Sequence, residues 1–388
     1  MAPLVHGLIA LSTSFIAALT SLEPGFNAST ISRVRSNLLE VASASWELGT
    51  AAEALLELSW PSLSVFNSTA FPPPTRLKTS ALPIDVLNIA NKTVSEKPSG
   101  SLALVPDQGS AADPASIGVA VLLANWTRTS VSNHDYANAA SDQLKYLLNF
   151  APRSPDGAIS HRADEVQLWA DFVYMVPPFI AYYGSLQGGV DGRTLLQAAY
   201  DQCRLYRDAL RDDSGLWRHI TLGSFEDKTH WATGNAWAAA GMLRVLSTLN
   251  HTSEGQKFSG QQANLTQWID EILEASWSHQ SANGTLLNVI DDPTSFSDTS
   301  STALLASVTY RMAIFKNDTS LISPANRALH LIKNSLQDGW LQNTVDPVTF
   351  HGPLPSGKHS PEGQAFVLLL QAAWQAFSAF ETKLHKTT

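Results

Sequence analysis

The chain has 388 residues, of which 44% are hydrophobic and 15% are charged, so it has enough apolar side chains for a large core and is not intrinsically disordered. The 25 Lys and Arg residues against 34 Asp and Glu residues give a net charge of −9, without a basic run, which excludes a typical binder of nucleic acid or of anionic membranes. A single cysteine, Cys203, excludes a disulfide framework and a zinc–cysteine cluster.

The first segment of the chain, residues 1–21, is apolar and ends in small residues, which predicts a secretory signal peptide even though its first residues carry no Lys or Arg. An apolar first helix is the alternative interpretation. Residues 22–388 contain no linker at which to divide them, so we expect a single domain that is secreted and extracellular.

Asn-x-Ser/Thr sequences support the expectation of secretion, because they accept N-linked glycans in secreted eukaryotic proteins. The asparagines are Asn27, Asn67, Asn91, Asn125, Asn250, Asn264, Asn283 and Asn317.

A short motif of Asp, Asn or Ser followed by Gly recurs along the chain, and each such Gly supplies the positive φ that a turn needs. The glycines are Gly100, Gly157, Gly215, Gly284 and Gly339. They are 57, 58, 69 and 55 residues apart, which indicates an internal repeat. The longest interval contains the polar stretch 251–262, which predicts a surface insertion.

Two kinds of helical pattern lie between successive turns. The first kind is rich in small residues that let helices approach closely, and it suits the interior: 115–126, 166–183, 234–249, 299–314 and 363–380. The second kind is amphipathic and suits an outer position: 136–150, 195–211, 265–277 and 325–336. Segments 31–58 and 84–91 complete an opening pair. The pattern predicts a closed ring of helical hairpins with the Gly turns on one rim, and an open solenoid is the alternative.

Asp171 lies inside an apolar stretch that is predicted to be a loop entering a helix. Val166, Trp169, Phe172 and Val173 follow helical spacing there. A carboxylate among large apolar side chains is either a paired core residue or a catalytic group.

Other polar and aromatic residues collect at equivalent points of the repeat, so a ring would bring them to one rim. They are Asp113, His161, Arg162, Trp169, Trp217, Arg218, His219, His230, Trp231, Trp237, Asp298, His359 and Glu362. Each also has an ordinary structural interpretation. Asp298 before Thr and Ser is a typical helix N-cap, and Ser360-Pro361-Glu362 is a common helix start.

The motifs in 156–175, 215–219, 231–237 and 360–366 resemble the unsaturated rhamnogalacturonyl hydrolases of glycoside hydrolase family 105, and more distantly the unsaturated glucuronyl hydrolases of family 88. The similarity extends from about residue 113 to residue 371. It implies an all-α fold, the (α/α)6 barrel of six helical hairpins. It also implies hydration of the C4–C5 enol ether of the terminal unsaturated uronic acid that polysaccharide lyases leave on pectin or rhamnogalacturonan oligosaccharides.

The resemblance implies Asp171 as the general acid/base and Asp113 as the second carboxylate. It assigns substrate contacts to motif residues, for which the candidates are His161, Arg162, Trp169, Trp217, His219, Trp231, Thr233, Asn235, Trp237 and His359. It implies an oligosaccharide as the partner. The sequence contains no metal-ligand spacing and no phosphate-binding loop, so we expect neither a metal nor a cofactor, and the oligomeric state stays open.

Thr233 is the main departure from the family pattern, which usually has Arg at this position. Two outcomes are open: Arg218, Lys228 or His230 supplies the missing positive charge, or the pocket has lost a substrate contact and prefers a different or more decorated saccharide. We expect uronyl hydration to persist. Two alternatives to the implied function remain. One is an (α/α)6 hydrolase or epimerase that acts on an ordinary sugar, and the other is a catalytically inactive carbohydrate-binding protein.

Overall fold

The computed structural model describes residues 23–75, 77–78 and 82–387, so the predicted signal peptide lies outside the described residues. The α-helices of the described part are α1 (Ala28–Val41), α2 (Ser45–Ser59), α3 (Ile84–Glu96), α4 (Gly118–Thr127), α5 (Asp135–Asn149), α6 (Phe172–Met175), α7 (Pro177–Gln187), α8 (Gly189–Leu210), α9 (Ala232–His251), α10 (Ser259–Ser278), α11 (Thr299–Lys316), α12 (Ile322–Asn334) and α13 (Pro361–Thr387). Within these ranges no helix combines the length and the apolarity that crossing a bilayer requires.

Short strands and 3-10 helices occupy the connections. The strands form three antiparallel pairs, which are β1 (Leu168–Trp169) with β2 (Ile220–Thr221), β3 (Leu286–Leu287) with β4 (Ser297–Asp298), and β5 (Leu336–Gln337) with β6 (Trp340–Leu341). The 3-10 helices of the described part are Pro61–Leu63, Asp113–Ile117 and Gly255–Phe258.

Six inner helical segments close into a ring. The first is α2, followed by α4, the α6–α7 pair, α9, α11 and α13, and each packs on the next. The ring closes because α13 also packs on α2. This closure confirms the predicted (α/α)6 barrel and excludes the open solenoid. The outer layer consists of α1, α3, α5, α8, α10 and α12.

The five repeat glycines all adopt positive φ, between 77° at Gly339 and 96° at Gly284. Each lies after an outer helix and before the following inner helix, as the repeat predicts. Because every hairpin returns the chain to the same end of the ring, the inner helices run parallel and begin at one rim.

The structure corrects two of the predicted helix boundaries and shows regular structure in the predicted insertion. Segment 31–58 is two helices, because the chain turns at residues 42–44 and the Glu47 side chain accepts the N–H groups of Ser43 and Ala44. The helix predicted from residue 166 begins at Phe172, since β1 pairs with β2 instead. Segment 251–262 is not a simple surface insertion. It contains the end of α9, the 3-10 helix Gly255–Phe258 and the start of α10.

A buried ionic network crosses the interior of the barrel. Arg244 of α9 lies 3.1 Å from the Glu53 carboxylate and also contacts Glu57, both on α2, and Arg311 of α11 lies 3.1 Å from Glu57. The Tyr174 ring packs 5.1 Å from the Arg244 guanidinium. Burial raises the pKa of Glu53 to about 7, and the attraction of Arg244, which is shared with Glu57, offsets this only in part.

We expect Glu53→Gln to flatten the dependence of the unfolding free energy on pH. Because the pKa of Glu53 in the folded state, about 7, exceeds its ordinary value of 4.5, its contribution is complete below pH ~4.5 and is lost as the pH rises through 7. The loss amounts to about 3 kcal/mol. Chemical denaturation between pH 4.5 and 8 measures it, with the exposed Glu40→Gln as a control. Equal slopes for wild type and Glu53→Gln would contradict the assignment.

Candidate active site

A cavity of about 280 Å³ opens at the rim where the inner helices begin. Seven of the residues singled out in the sequence line it together, namely Asp113, His161, Arg162, Trp169, Asp171, Trp237 and Glu362. Its other lining residues are Trp46, Gln108, Ser110, Met175, Pro347, Val348 and Phe350. Residues from distant repeats therefore meet in one pocket, as the closed ring requires.

Asp171 is placed by the short strand pair that precedes α6. The N–H of Ala170 donates to the carbonyl of His219 at 2.9 Å, which fixes the two segments side by side. Asp171 Oδ2 then lies 3.4 Å from His219 Nε2. Oδ2 is fully covered, while 15% of the Asp171 side chain remains exposed at the cavity wall. Oδ1 is thus the oxygen that can reach a ligand.

His219 is fully buried between two carboxylates. Its Nδ1 lies 2.9 Å from Asp227 Oδ2, and its Nε2 faces Asp171. Burial alone would lower the pKa of His219, but the adjacent carboxylates of Asp171 and Asp227 outweigh burial and raise it. Burial raises the pKa of Asp227, but hydrogen bonds from His219 and Thr229 outweigh burial and lower this pKa to about 2. The two carboxylates therefore favour the protonated form of His219 and direct its Nε2 toward Asp171.

Asp113 and His161 form the second acid–histidine pair of the cavity. Asp113 begins a 3-10 helix, and its N–H donates to Ser110 Oγ at 3.0 Å. His161 Nε2 lies 3.5 Å from Asp113 Oδ1. Burial raises the pKa of Asp113. The charge of Asp171 raises this pKa further, and the interaction with His161 opposes the rise. Burial lowers the pKa of His161 despite both carboxylates. The enclosed site therefore favours the neutral form of each partner.

Trp169 connects the two pairs. Its ring stacks on the His161 ring at 4.8 Å with an interplanar angle of 8°, and its edge-on contact with His219 is at 5.5 Å. Its indole N–H donates to Gln167 Oε1 at 2.6 Å. Phe350 covers both Trp169 and His219, with ring centroids 5.8 Å and 4.7 Å away. These rings pack mostly edge to face, and Trp169 and Phe350 present aromatic surface to the cavity.

Several predicted substrate-binding residues lie outside the cavity, in contrast to the expectation. Trp217 and Trp231 are buried. The Asn235 side chain accepts a hydrogen bond from the backbone N–H of Trp217 and donates to the backbone carbonyls of both tryptophans. Trp231 packs on His219 with ring centroids 4.4 Å apart, so it supports a site residue from behind. His359 stacks on Trp340 at 3.9 Å.

Thr233 is also fully buried, and its hydroxyl donates to Asp298 at 3.3 Å. Asp298 is the N-cap of α11, as its sequence context suggests, and accepts the N–H groups of Ser300 and Ser301. Thr233 therefore faces a helix cap, not the cavity.

None of the three residues expected to replace the missing arginine charge lines the cavity. Arg218 lies 3.9 Å from Asp212, exposed Lys228 pairs with Glu226, and His230 is held between Asp212 and Asp291. Among the described residues that line the cavity, one is an Arg or Lys, namely Arg162. Its side chain lies 3.3 Å from Asp164.

Glu362 was placed at the rim by sequence reasoning but was not assigned a substrate contact, because it also fits an ordinary helix start. Other residues that shape the site escaped sequence reasoning. Trp46, Asp227 and Phe350 carry no local signal, because α2 resembles any apolar helix and the other two lie in loops. The described residues contain no group of three or more His, Cys, Asp or Glu side chains arranged to hold a metal ion.

Among the solved structures with a similar fold, two are described as possible members of the GH105 family. The structure from Klebsiella pneumoniae subsp. pneumoniae MGH 78578 has a TM-score of 0.73 and 16% identity, and covers 96% of this chain and 99% of that chain. The structure from Salmonella enterica subsp. enterica serovar Paratyphi A str. ATCC 9150 has a TM-score of 0.70 and 18% identity. It covers 90% of this chain and 93% of that chain. At these identities the likeness establishes the fold alone.

A curated relative, the unsaturated rhamnogalacturonyl hydrolase YesR of Bacillus subtilis (strain 168), is 24% identical over 182 residues, which cover 44% of this chain and 50% of the relative. The match thus spans about half the length of that relative. The family model described as Glycosyl Hydrolase Family 88 matches residues 85–346, more than half of the chain. These findings confirm the GH105/GH88 resemblance, and the chain belongs to Glycosyl Hydrolase Family 88.

Proposed function

We propose that this protein is a secreted glycoside hydrolase that removes a terminal unsaturated uronic acid from lyase-generated pectin or rhamnogalacturonan oligosaccharides. The observation that carries the proposal is the Asp171 carboxyl group, held at the cavity wall with Oδ2 against an imidazole that Asp227 orients. The family assignment and the name of the Bacillus subtilis relative support the same reaction class.

The proposed reaction is hydration of an enol ether. Asp171 donates its proton to C4, and the developing positive charge at C5 is shared with the ring oxygen. Water adds to C5 while Asp171, now a carboxylate, takes a proton from it, so the residue returns to its starting state. The C5 hemiketal opens to a C5 ketone by breaking its bond to the ring oxygen, which leaves a hemiacetal at C1. This hemiacetal collapses to an aldehyde, the bond between C1 and the glycosidic oxygen breaks, and the next sugar leaves with a hydroxyl group.

Binding of an anionic sugar has to overcome the negative charge of the cavity carboxyl groups. Two features support such binding. The inner helices begin at this rim, so the positive ends of their dipoles face the cavity. The raised pKa of Asp113 favours its neutral form, which removes one repulsive charge.

The proposal of secretion is supported by where the glycosylation sequences lie. Six of their asparagines are exposed, while Asn67 and Asn125 are half-buried. The exposed ones are Asn27, Asn91, Asn250, Asn264, Asn283 and Asn317. Glycans at these six positions would extend into solvent without disturbing the core.

Turnover of unsaturated disaccharides tests the function directly. We expect the wild-type protein to abolish the ultraviolet absorbance of the enol ether in at least one disaccharide made by pectin, rhamnogalacturonan or glucuronan lyases. Release of sugar from saturated glycosides, with the unsaturated panel left intact, would favour a conventional hydrolase. Binding of the panel without any turnover would favour an inactive carbohydrate-binding protein.

Asp171→Asn should keep the fold and lose ~10²–10⁴-fold in kcat, because the amide is nearly isosteric but cannot cycle a proton. The rate at which ultraviolet absorbance is lost under saturating substrate gives kcat, and thermal unfolding confirms that the variant is folded. The matched control is Asp208→Asn, which changes an exposed carboxylate on outer helix α8. Activity within about tenfold of wild type would remove Asp171 from the mechanism.

Asp227→Asn should lower the pKa of His219, because it removes one of the two carboxylates that favour the imidazolium. The alkaline limb of the kcat profile is then expected to move to lower pH, since the charged form of His219 is lost earlier. Rates measured between pH 4 and 9 and proton NMR of the imidazole report this shift. An unchanged profile in a folded variant would show that His219 does not act through its charge.

A further inference from the structure

A shallow groove of about 610 Å³ adjoins the active-site cavity, and the proposed reaction does not use it. We call it the rim groove, and its described lining residues are 101–103, 105–110, Tyr146, Phe150 and Ala163. Gln108 and Ser110 line both the rim groove and the cavity. Of the described residues that line the cavity, Gln108 and Val348 are exposed, so they mark its mouth. The rim groove therefore begins at the mouth of the cavity.

The size of the cavity determines where the rest of an oligosaccharide lies. At about 280 Å³ the cavity is smaller than the ~300–1,000 Å³ of typical small-molecule pockets, so it encloses the terminal ring beside Asp171 and little more. The sugars joined to C1 of that ring must pass the mouth, next to Gln108 or next to Val348. Gln108 leads into the rim groove. The loop of Val348 leads instead, through Phe350, to the exposed Phe225, whose ring lies 6.4 Å from that of Phe350.

Phe150 gives the rim groove an aromatic surface that the core does not need. It follows the outer helix α5 and is 58% exposed. Tyr146 lies one turn earlier on the same helix, and Leu102 and Val105 add apolar surface beside both rings. An exposed apolar patch with a polar rim is typical of a ligand-binding groove. Because the C–H face of a pyranose is apolar, an exposed aromatic ring of this kind can stack on a sugar.

The segment before Ser110 supplies hydrogen-bonding groups for sugar hydroxyls. Gln108 Oε1 accepts the hydroxyl of Ser45, while Gln108 Nε2 has no hydrogen-bond partner among the described residues. Asp107 is exposed, and among the described lining residues it is the one that carries a charge. Its carboxylate accepts hydrogen bonds from hydroxyls but repels a second carboxylate. Lys145 is not a lining residue, and its Nζ lies 5.9 Å from the centre of the Phe150 ring. The rim groove therefore suits a neutral sugar better than a uronic acid.

We propose that the rim groove binds a neutral sugar of the leaving oligosaccharide, with Phe150 as the stacking surface and Asp107 and Gln108 as partners of its hydroxyl groups. This inference rests on the proposed function, since it places the part of the same substrate that leaves after hydration. It makes the rim groove a determinant of specificity for the chain attached to the uronyl ring.

The first test compares two substrates that share the unsaturated uronyl ring. One is its methyl glycoside, which has no second sugar, and the other is a tetrasaccharide in which acidic and neutral sugars alternate. We expect Phe150→Ser to raise KM for the tetrasaccharide about 2–10-fold, the size of one aromatic contact, and to leave KM for the methyl glycoside within about twofold. Phe150→Trp should keep the wild-type values. The matched control is Phe315→Ser, which changes a partly exposed Phe at the opposite end of the barrel.

The second test concerns charge. Wild type should have a lower KM for the alternating tetrasaccharide than for one made only of uronic acids. Asp107→Asn should reduce this preference about 2–5-fold at low salt, as expected for one exposed charge, and the reduction should shrink at high salt. Since Asp107 has a φ of 62°, which Asn also tolerates, the variant keeps the backbone of the loop. A preference of wild type for the all-acidic tetrasaccharide would overturn the assignment of a neutral sugar.

Two further outcomes would overturn the inference while the proposed function stands. Equal increases in KM for the methyl glycoside and the tetrasaccharide in Phe150→Ser would show a structural role of Phe150. An effect on the tetrasaccharide in Phe225→Ser, without one in Phe150→Ser, would place the leaving chain on the other side of the mouth.

Binding of a saturated alternating tetrasaccharide, measured by ligand-observed NMR, separates the groove from the reaction. We expect this ligand to bind wild type and to bind Phe150→Ser about 2–10-fold more weakly. If wild type is inert on every unsaturated uronide, the proposed function falls, yet binding that depends on Phe150 would still support the groove. Equal binding to wild type and Phe150→Ser would overturn the groove, whatever the activity.

Discussion

The ionic network inside the barrel is the constraint on which the rest of the structure depends. Glu53 and Glu57 on α2, Arg244 on α9 and Arg311 on α11 are buried, so each must keep its partners. Removing one partner of such a pair typically costs about 3–5 kcal/mol, whereas an apolar replacement of the whole set can be neutral. We interpret the network as a device that fixes the rotation and height of three inner helices, because other rotations would leave buried charges unpaired.

The active-site rim follows from that register. Since the inner helices run parallel, the residues at their first turns converge, and carboxyl groups collect where the helix dipoles are positive. Asp113, Asp171 and Glu362 come from three different hairpins and share one enclosed space. The three carboxyl groups share this space but differ in the side chains that they contact. Asp171 faces the oriented imidazole of His219, Asp113 faces a histidine whose pKa burial lowers, and Glu362 faces an indole N–H.

Aromatic packing supplies the remaining order of the site. Phe350 comes from the loop between β6 and α13, and it contacts Trp169, His219 and Trp231. Asn288 donates to the Phe350 carbonyl at 2.8 Å and accepts the Trp231 indole N–H at 3.0 Å. These contacts connect three loops that have little regular structure of their own. The aromatic surface of the cavity is therefore held by neighbours and not by the backbone of any one element.

The sequence by itself determined the repeat, the hairpins and the convergence of Asp113, His161, Arg162, Trp169 and Asp171, because glycine turns and helical periodicity are local properties. Tertiary structure decided which rim residues face inward. Thr233 and Asn235 lie in the same motif as Trp237, yet of the three only Trp237 lines the cavity. Glu362 looked like a helix start until α2 placed Trp46 against it. The physical reason is that the direction of a side chain and the protonation of a buried acid depend on groups far away in the chain, which no local pattern specifies.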